Sequence, residues 1–376
     1  MAEIDVSRQP KAKRYARIQR QLMLVDLLIG VVFLLCWMLL GWATQLRDVF
    51  LGATHNGWLL VAGFGLVFGG SFFLVSLPVS WYSEYILPHR FELSIQSLRS
   101  WISDQVKSLL LSGLIGGVLL ELVFWLLRRA PQTWWLWMAG FMLIFIVLMA
   151  NLAPVLIMPL FYKFTLLGEE HAGLVDALMR LAKQAGARVS GVYKVEMSSR
   201  TKTANAMVMG LGSTRRIVLF DTLIKEFNND EIETILAHEL GHHVHKDVGF
   251  SILVESLSIL VGLYLASLGL KVGAARLGLN GIDDVAGMPL LGLVFGAFGL
   301  VTLPLTNIFS RWREQMADGY ALKLTGKGEA FASAFSRLAN QNLAEVDPAP
   351  WVEFLLYSHP PLNKRIKMAL ETLPRP

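Results

Sequence analysis

Six stretches of this chain, near residues 22–42, 58–80, 107–127, 134–157, 249–270 and 288–309, are apolar over lengths that cross roughly 30 Å of hydrocarbon as a helix. Stretches of this kind leave the chain few architectures, because backbone polar groups in lipid must be satisfied within the segment itself. Charged residues make up only 17% of the sequence and hydrophobic residues 54%, against about a quarter charged in ordinary soluble domains. The first stretch is too long for a signal peptide, and no clean small-residue cleavage site follows it. Pro154 and Pro159 break or end the fourth, and Trp134, Trp135 and Trp137 at its start suit a membrane interface. Four spans would thus fall in an N-terminal region, 1–157, and two in a second region, 158–376.

Lysine and arginine set the orientation. Arg8, Lys11, Lys13, Arg14, Arg17 and Arg20 precede the first span and place the N-terminus on the cytoplasmic side. Six crossings then return the loop 81–106, the domain 160–247 and the tail after 310 to that side. The host membrane would be the plasma or inner membrane in a bacterium and the endoplasmic reticulum in a eukaryote. Arg128 and Arg129 run against this scheme. The net charge of +5 reflects residues at membrane edges and in the tail, which orientation and anionic lipid explain, so a nucleic-acid partner is not expected. The lone cysteine, Cys36, lies within the first span and excludes intrachain disulfides and thiolate metal sites. Asp26, Glu121 and Glu255 fall inside apolar spans, where a carboxylate needs protein, a wet cavity or a proton.

Residues 238–242 read His-Glu-Leu-Gly-His, within a segment, 230–247, whose apolar spacing is helical. Two histidines four apart project from one helix face and can reach one metal ion. Glu239 sits where it can take a proton from a water at that metal. Asn228, Asn229 and Asp230 offer N-caps, and Asp230 with Glu233 has capping-box spacing. Gly241 permits close approach of another backbone. His243 points away from His238, whereas His245 falls on the same side. Two ordinary surface histidines would be the plain alternative, and the helical context argues against it.

Zinc requires a third protein ligand. Glu314 and Asp318, four apart in the segment Ser310–Ala321, share a helix face. Glu314 can bind the metal while Asp318 accepts a hydrogen bond from a ligand imidazole. Taken alone, they would be a solvated acidic face paired with Arg311 or Arg313.

Between the fourth span and the metal helix lies a polar domain with a helix over 169–186 and strands near 191–197, 204–212 and 215–220. Asn205–Gly210 is the candidate edge that an extended substrate would pair with, or else an inner strand packing two methionines. Tyr357-Ser358-His359-Pro360-Pro361 makes a rigid turn before a short basic helix, 364–373.

With these pieces in view, the sequence resembles the integral-membrane gluzincin metallopeptidases: the CAAX prenyl endopeptidases of the a-factor-converting type, with the shorter HtpX-like proteases as relatives. The matching segments are Met158–Phe161, Asn205-Ala206 with Gly210, the 238–242 pentad, Arg311–Asp318 and Ser358-His359-Pro360. The resemblance implies a mainly α, polytopic membrane protein with an α+β zinc metalloprotease domain of gluzincin type. It implies one Zn2+ per chain on His238, His242 and Glu314, Glu239 as base, and Asp318 as a second catalytic carboxylate or an orienting one. It places Asn205 and His359 around the substrate, and it implies a water-filled intramembrane chamber. The usual seven spans of these relatives leave one to find, absent here or within 43–80. The partners implied are the bilayer and a peptide or protein substrate, prenylated or not. The four spans ahead of the catalytic domain favour the CAAX-type branch over an HtpX-like quality-control protease. A non-catalytic scaffold with structural zinc would have no use for Glu239, and a transporter built on the intramembrane acids would leave the pentad unexplained.

Overall fold

The computed structural model describes residues 2–210 and 212–373. Among them are six helices long and apolar enough to cross a membrane, in the places the apolar stretches mark. α1 (Gln9–Leu39) begins in the basic tail. Gly41, at φ +72°, turns the chain into α2 (Trp42–Ala53), which at 1.5 Å per residue reaches only about 18 Å and cannot cross. The 43–80 stretch therefore holds one crossing helix, not two. That helix is α3 (Gly57–Ser80), capped by Asn56, whose Oδ1 accepts from the Trp58 amide at 2.9 Å.

α3 runs through Pro78 into a π turn at Trp81–Ile86 and then α4 (Leu87–Arg90). α5 (Leu98–Arg129) follows a Ser97 cap. α6 (Trp134–Leu152) passes through a π turn at Ala153–Ile157 into α7 (Met158–Phe161), where the fourth span ends. Each π turn holds or follows a proline, which removes a donor and crowds the preceding turn, so the ladder widens.

The polar domain starts with β1 (Phe164–Leu166) and α8 (Ala172–Gln184). β2 (Val192–Val195), β3 (Ala206–Met209) and β4 (Arg216–Phe220) complete a sheet of order β1-β2-β4-β3. β2 and β4 are parallel, and the other two pairings are antiparallel, with Val208 opposite Ile217. β3 is therefore an edge, as expected of Asn205–Gly210. Gly210 ends it at φ +87°, where a Cβ would stand 2.6 Å from the Thr214 carbonyl oxygen.

α9 (Asp221–Glu226) leads to the metal helix, α10 (Asn229–Val244). Its capping box is Asn228 with Glu231, two residues earlier than Asp230 with Glu233: the Asn228 side chain accepts from the Glu231 amide at 2.9 Å and Glu231 accepts from Asn228 at 3.0 Å. The helix starts there because Asn228 is extended, at ψ 167°, and the chain is already helical at Asp230. α11 (Asp247–Arg276) and α12 (Met288–Thr325) are the last two spans, and α13 (Gly328–Gln341), α14 (Pro350–Leu356) and α15 (Leu362–Glu371) close the chain.

Two cores hold this together. In the membrane region Phe33, Trp37, Phe64, Phe124, Trp134 and Leu263 pack inward, while Leu66, Leu74, Leu110 and Val301 lie more than 60% exposed, a surface suited to lipid. In the polar domain Leu178, Ile217 and Leu219 pack with Leu236 and Leu240 of α10 and Phe331 of α13. Arg47 of α2 pairs with Asp284, ahead of α12, at 2.5 Å, so the loops at 43–57 and 271–287 meet at one end of the bundle. At the other end the N-terminal segment joins the polar domain: the Asp5 amide donates to Asn340 at 2.9 Å, and Arg20 pairs with Glu345 at 2.7 Å.

The three intramembrane acids differ. Asp26 lines a small cavity of about 310 Å³ with Gln19, Ser80 and Glu84. Glu121 buries one carboxylate oxygen without a hydrogen-bond partner. Glu255 is exposed on α11.

Candidate metal centre

α10 and α12 cross closely because Gly241 has no side chain: a Cβ there would lie 2.9 Å from Cα of Ala317. This contact brings His238 and His242 against Glu314. The Nε2 atoms of the two histidines are 3.3 Å apart. Glu314 lies 3.2 Å from His238 and 3.4 Å from His242, and the three ligand atoms all fall within 4.8 Å of one another.

Each imidazole is oriented from behind. His238 Nδ1 donates to Asp318 at 2.8 Å, and Arg365 grips that carboxylate with Nε at 2.8 Å and a second nitrogen at 2.5 Å. His242 Nδ1 donates to Asp247 at 2.7 Å, and Asp247 is ion-paired with Arg313. With Nδ1 of each ring committed to a carboxylate, both Nε2 atoms face the gap. Glu314 Oε2 is buried there with no hydrogen-bond partner among the described residues. Two imidazole nitrogens and an orphaned carboxylate oxygen converging on one point fit a divalent cation.

The electrostatics agree. Burial and the Arg365 guanidinium disfavour charge on His238, yet the Asp318 and Glu314 carboxylates beside it outweigh them and hold its pKa up, at about 9. The site therefore favours a positive charge at this point. Burial pushes the Glu239 carboxyl up, against the pull of His238 and His242 and of a hydrogen bond from the Val208 amide. That amide belongs to edge strand β3, so the strand and the carboxylate lie side by side.

His359 also reaches the centre, with Nε2 3.2 Å from Glu314 Oε1 and Nδ1 2.9 Å from the Ser358 hydroxyl. Desolvation at this site, with the Arg365 charge, pushes its pKa down against the pull of Glu314. A cavity of about 1010 Å³ opens onto His359 and Arg365, with Arg20, Glu84, Asp104 and Arg200 on its walls.

Asn205 is not drawn into the cluster: it is exposed at the start of β3, its Oδ1 accepting from the Ala206 amide at 2.9 Å. His243 is half-buried on the far side, and the His245 ring meets Tyr320 at 5.9 Å. Neither Arg311 nor Arg313 pairs with Glu314; they bind carbonyls of 353 and 357, and Asp247, respectively. Sequence reasoning missed Asp247, Arg313 and Arg365. A signal existed for Arg365, a cation bordering the apolar stripe Leu362, Ile366 and Ala369 of the last helix.

A helical membrane bundle that sets a His-Glu-x-x-His helix against a carboxylate-bearing helix defines an integral-membrane metallopeptidase. Residues 169–373 match the model of peptidase family M48, and residues 2–163 match that of the CAAX prenyl protease N-terminal region, described as five membrane helices. The chain belongs to family M48. It is 30% identical over 362 residues to the uncharacterized metalloprotease YhfN of Bacillus subtilis, covering 95% of this chain and 84% of that one. CAAX prenyl protease 1 of Saccharomyces cerevisiae is 33% identical over 312 residues, covering 78% and 68%. The crystal structure of S. mikatae Ste24p superposes with a TM-score of 0.84 at 26% identity, covering 98% of this chain and 89% of that one. The protein is a multi-pass membrane metalloprotease of the CAAX prenyl protease family. Where the N-terminal model has five helices, this chain has four long ones and the short α2.

Proposed function

We propose that this chain is a zinc-dependent endopeptidase with one zinc held by His238, His242 and Glu314. The observation that carries this reading is the convergence of those ligand atoms within 4.8 Å, beside a carboxylate, Glu239, that both imidazoles flank. Among the described residues the group has three members, leaving a position open as catalytic rather than structural zinc requires. When bound, zinc supplies a Lewis acid that makes a water nucleophilic near neutral pH and polarises a carbonyl.

The chain's own groups do the rest. An extended substrate lies along β3, its backbone pairing with the free edge. Glu239 takes a proton from the attacking water and gives it to the departing amine. His359 donates its Nε2 proton toward the oxyanion. Asp318 and Asp247 hold the imidazoles in the required tautomer. Asn205, at the start of β3, is a further substrate contact in this reading.

The substrate class we propose is a prenylated C-terminal peptide, supported by the name of the Saccharomyces cerevisiae relative, CAAX prenyl protease 1. Nothing in the geometry favours turnover of damaged membrane proteins over it. We place the polar domain, 160–247, the tail after 310 and both termini on the cytoplasmic side, a reading supported by the basic N-terminal tail and its contacts with Asn340 and Glu345. The test is cleavage of a farnesylated CAAX peptide and its unfarnesylated twin by purified, zinc-loaded enzyme. Faster cleavage of the farnesylated peptide is expected; equal rates would remove prenyl recognition, and no zinc-dependent cleavage of either would remove the reading.

A further inference from the structure

The face of α12 that carries Glu314 continues toward its N-terminus. Asn307, Arg311, Glu314 and Asp318 follow one another at steps of four, three and four, a single stripe on the helix. Every member of the stripe grips the hairpin made of α14, the Ser358–Pro361 turn and α15. Asn307 Nδ2 donates to the Leu355 carbonyl at 2.7 Å. Arg311 donates from one guanidinium nitrogen to the Glu353 carbonyl, at 2.8 Å, and to the Tyr357 carbonyl. Glu314 meets His359, and Asp318 meets Arg365.

The contacts of Asn307 and Arg311 reach carbonyls in the last turn of a short helix, where Leu355 and Tyr357 lie beyond the helix's own bonding and Glu353 accepts in addition from the Tyr357 amide at 3.3 Å. They also fix the backbone at points six, four and two residues before His359. That matters because His359 is not packed in place: 58% of its side chain is exposed, and its polar contacts are Glu314 and its neighbour Ser358. Its ring can face the metal centre only if the backbone carrying it is held. Among the described residues Arg311 has no carboxylate partner, and its charge is committed to these two carbonyls.

We propose that Arg311, assisted by Asn307, is a positioning residue that holds His359 in the catalytic centre through the C-terminal end of α14. This rests on the catalytic reading of His359 given above. An ammonium at this position reaches one carbonyl less readily than a guanidinium reaches two, so lysine substitutes only in part.

The experiment uses full-length enzyme in lipid nanodiscs, metal content measured, with the quenched peptide that wild type cleaves fastest from a panel. Arg311→Met should lower kcat about ten- to a hundredfold with KM changed less than about threefold and metal content unchanged. Arg311→Lys should fall between Arg311→Met and wild type. In a His359→Ala background, Arg311→Met should cost nothing further, because the group it positions is gone. Asn307→Leu, a smaller lesion in the same clamp, carries the test if Arg311→Met does not fold. Wild-type kcat in both clamp variants beside a slow His359→Ala overturns this inference alone. Losses that multiply in the double variant overturn it too, since Arg311 would then act elsewhere. A His359→Ala enzyme at the wild-type rate removes the catalytic reading of His359 and this inference with it.

Discussion

His242 donates from Nδ1 to Asp247 at 2.7 Å, across the turn at Lys246 that separates the metal helix from the fifth span. The pair mirrors His238 with Asp318, and behind each carboxylate stands an arginine: Arg313 behind Asp247, Arg365 behind Asp318. Both carboxylates are thus fixed before any metal arrives, and each fixes an imidazole in turn. The two pairs are expected to be alike in effect. Asp247→Asn and Asp318→Asn should each weaken metal affinity or turnover by about ten- to a hundredfold, read by titrating zinc into apo-enzyme against a chromophoric chelator. Weakened affinity marks an orienting role. Unchanged affinity with slow turnover at saturating zinc would assign Asp318 to proton transfer instead.

Ligand and base are separable by substitution. If Glu314 is the third ligand, as proposed, Glu314→Ala removes a metal bond and should lower zinc occupancy of purified protein severely. Glu239→Gln keeps the ligands and removes the base, so zinc should stay while turnover falls by at least about a hundredfold. Elemental analysis beside peptide cleavage reads both, and full zinc occupancy in Glu314→Ala would withdraw it as a ligand.

The readable part of this site came from short-range order. Histidines four apart and carboxylates four apart are periodicities of one helix, and the six spans are runs of composition; each is written in contiguous residues. Asp247 and Arg313 were not legible, because their meeting depends on how α11 turns away from α10 and where α12 crosses. Arg365 stands 51 residues from Glu314 in sequence and touches Asp318 only through the hairpin. β1 escaped notice since three residues, Phe164–Leu166, carry no alternation. The capping box slipped by two residues for a related reason: Asn228, Asn229 and Asp230 all make good caps, and the extended backbone at Asn228 decides among them.

Gly241 tests the helix crossing itself. A methyl group there meets Cα of Ala317 at 2.9 Å and its carbonyl oxygen at 3.1 Å, backbone atoms that cannot rotate away. Gly241→Ala should therefore push α10 from α12, destabilising by about 1–3 kcal/mol as overpacking does. It should also weaken zinc binding, since the two histidines and Glu314 lie on opposite sides of that contact. Unchanged melting temperature and zinc affinity would mean the crossing relaxes without moving the ligands.

Asp221 gives a pH dependence remote from the metal. It accepts from the amides of Met197 and Ser198 at 2.8 and 2.9 Å, from the Ser198 hydroxyl, and from Lys225 at 3.3 Å. Burial raises its pKa, but the hydrogen bonds from Ser198 and the Met197 amide outweigh that, and the carboxyl is held below its ordinary 3.8. The loop it pins carries Arg200, which pairs with Asp104 on the cavity wall, and Thr201, which bonds the Leu93 carbonyl at 2.9 Å. A carboxyl more acidic folded than unfolded contributes stability that is complete above its unfolded pKa and lost as pH falls through the folded value. Asp221→Asn should lower the melting temperature at pH 7, and the gap from wild type should narrow below about pH 4 as the wild-type carboxylate takes up its proton. Melting curves of both proteins from pH 7 down to about pH 3 make the comparison. A gap that stays constant across that range would show that the ionised carboxylate of Asp221 contributes nothing to the loop.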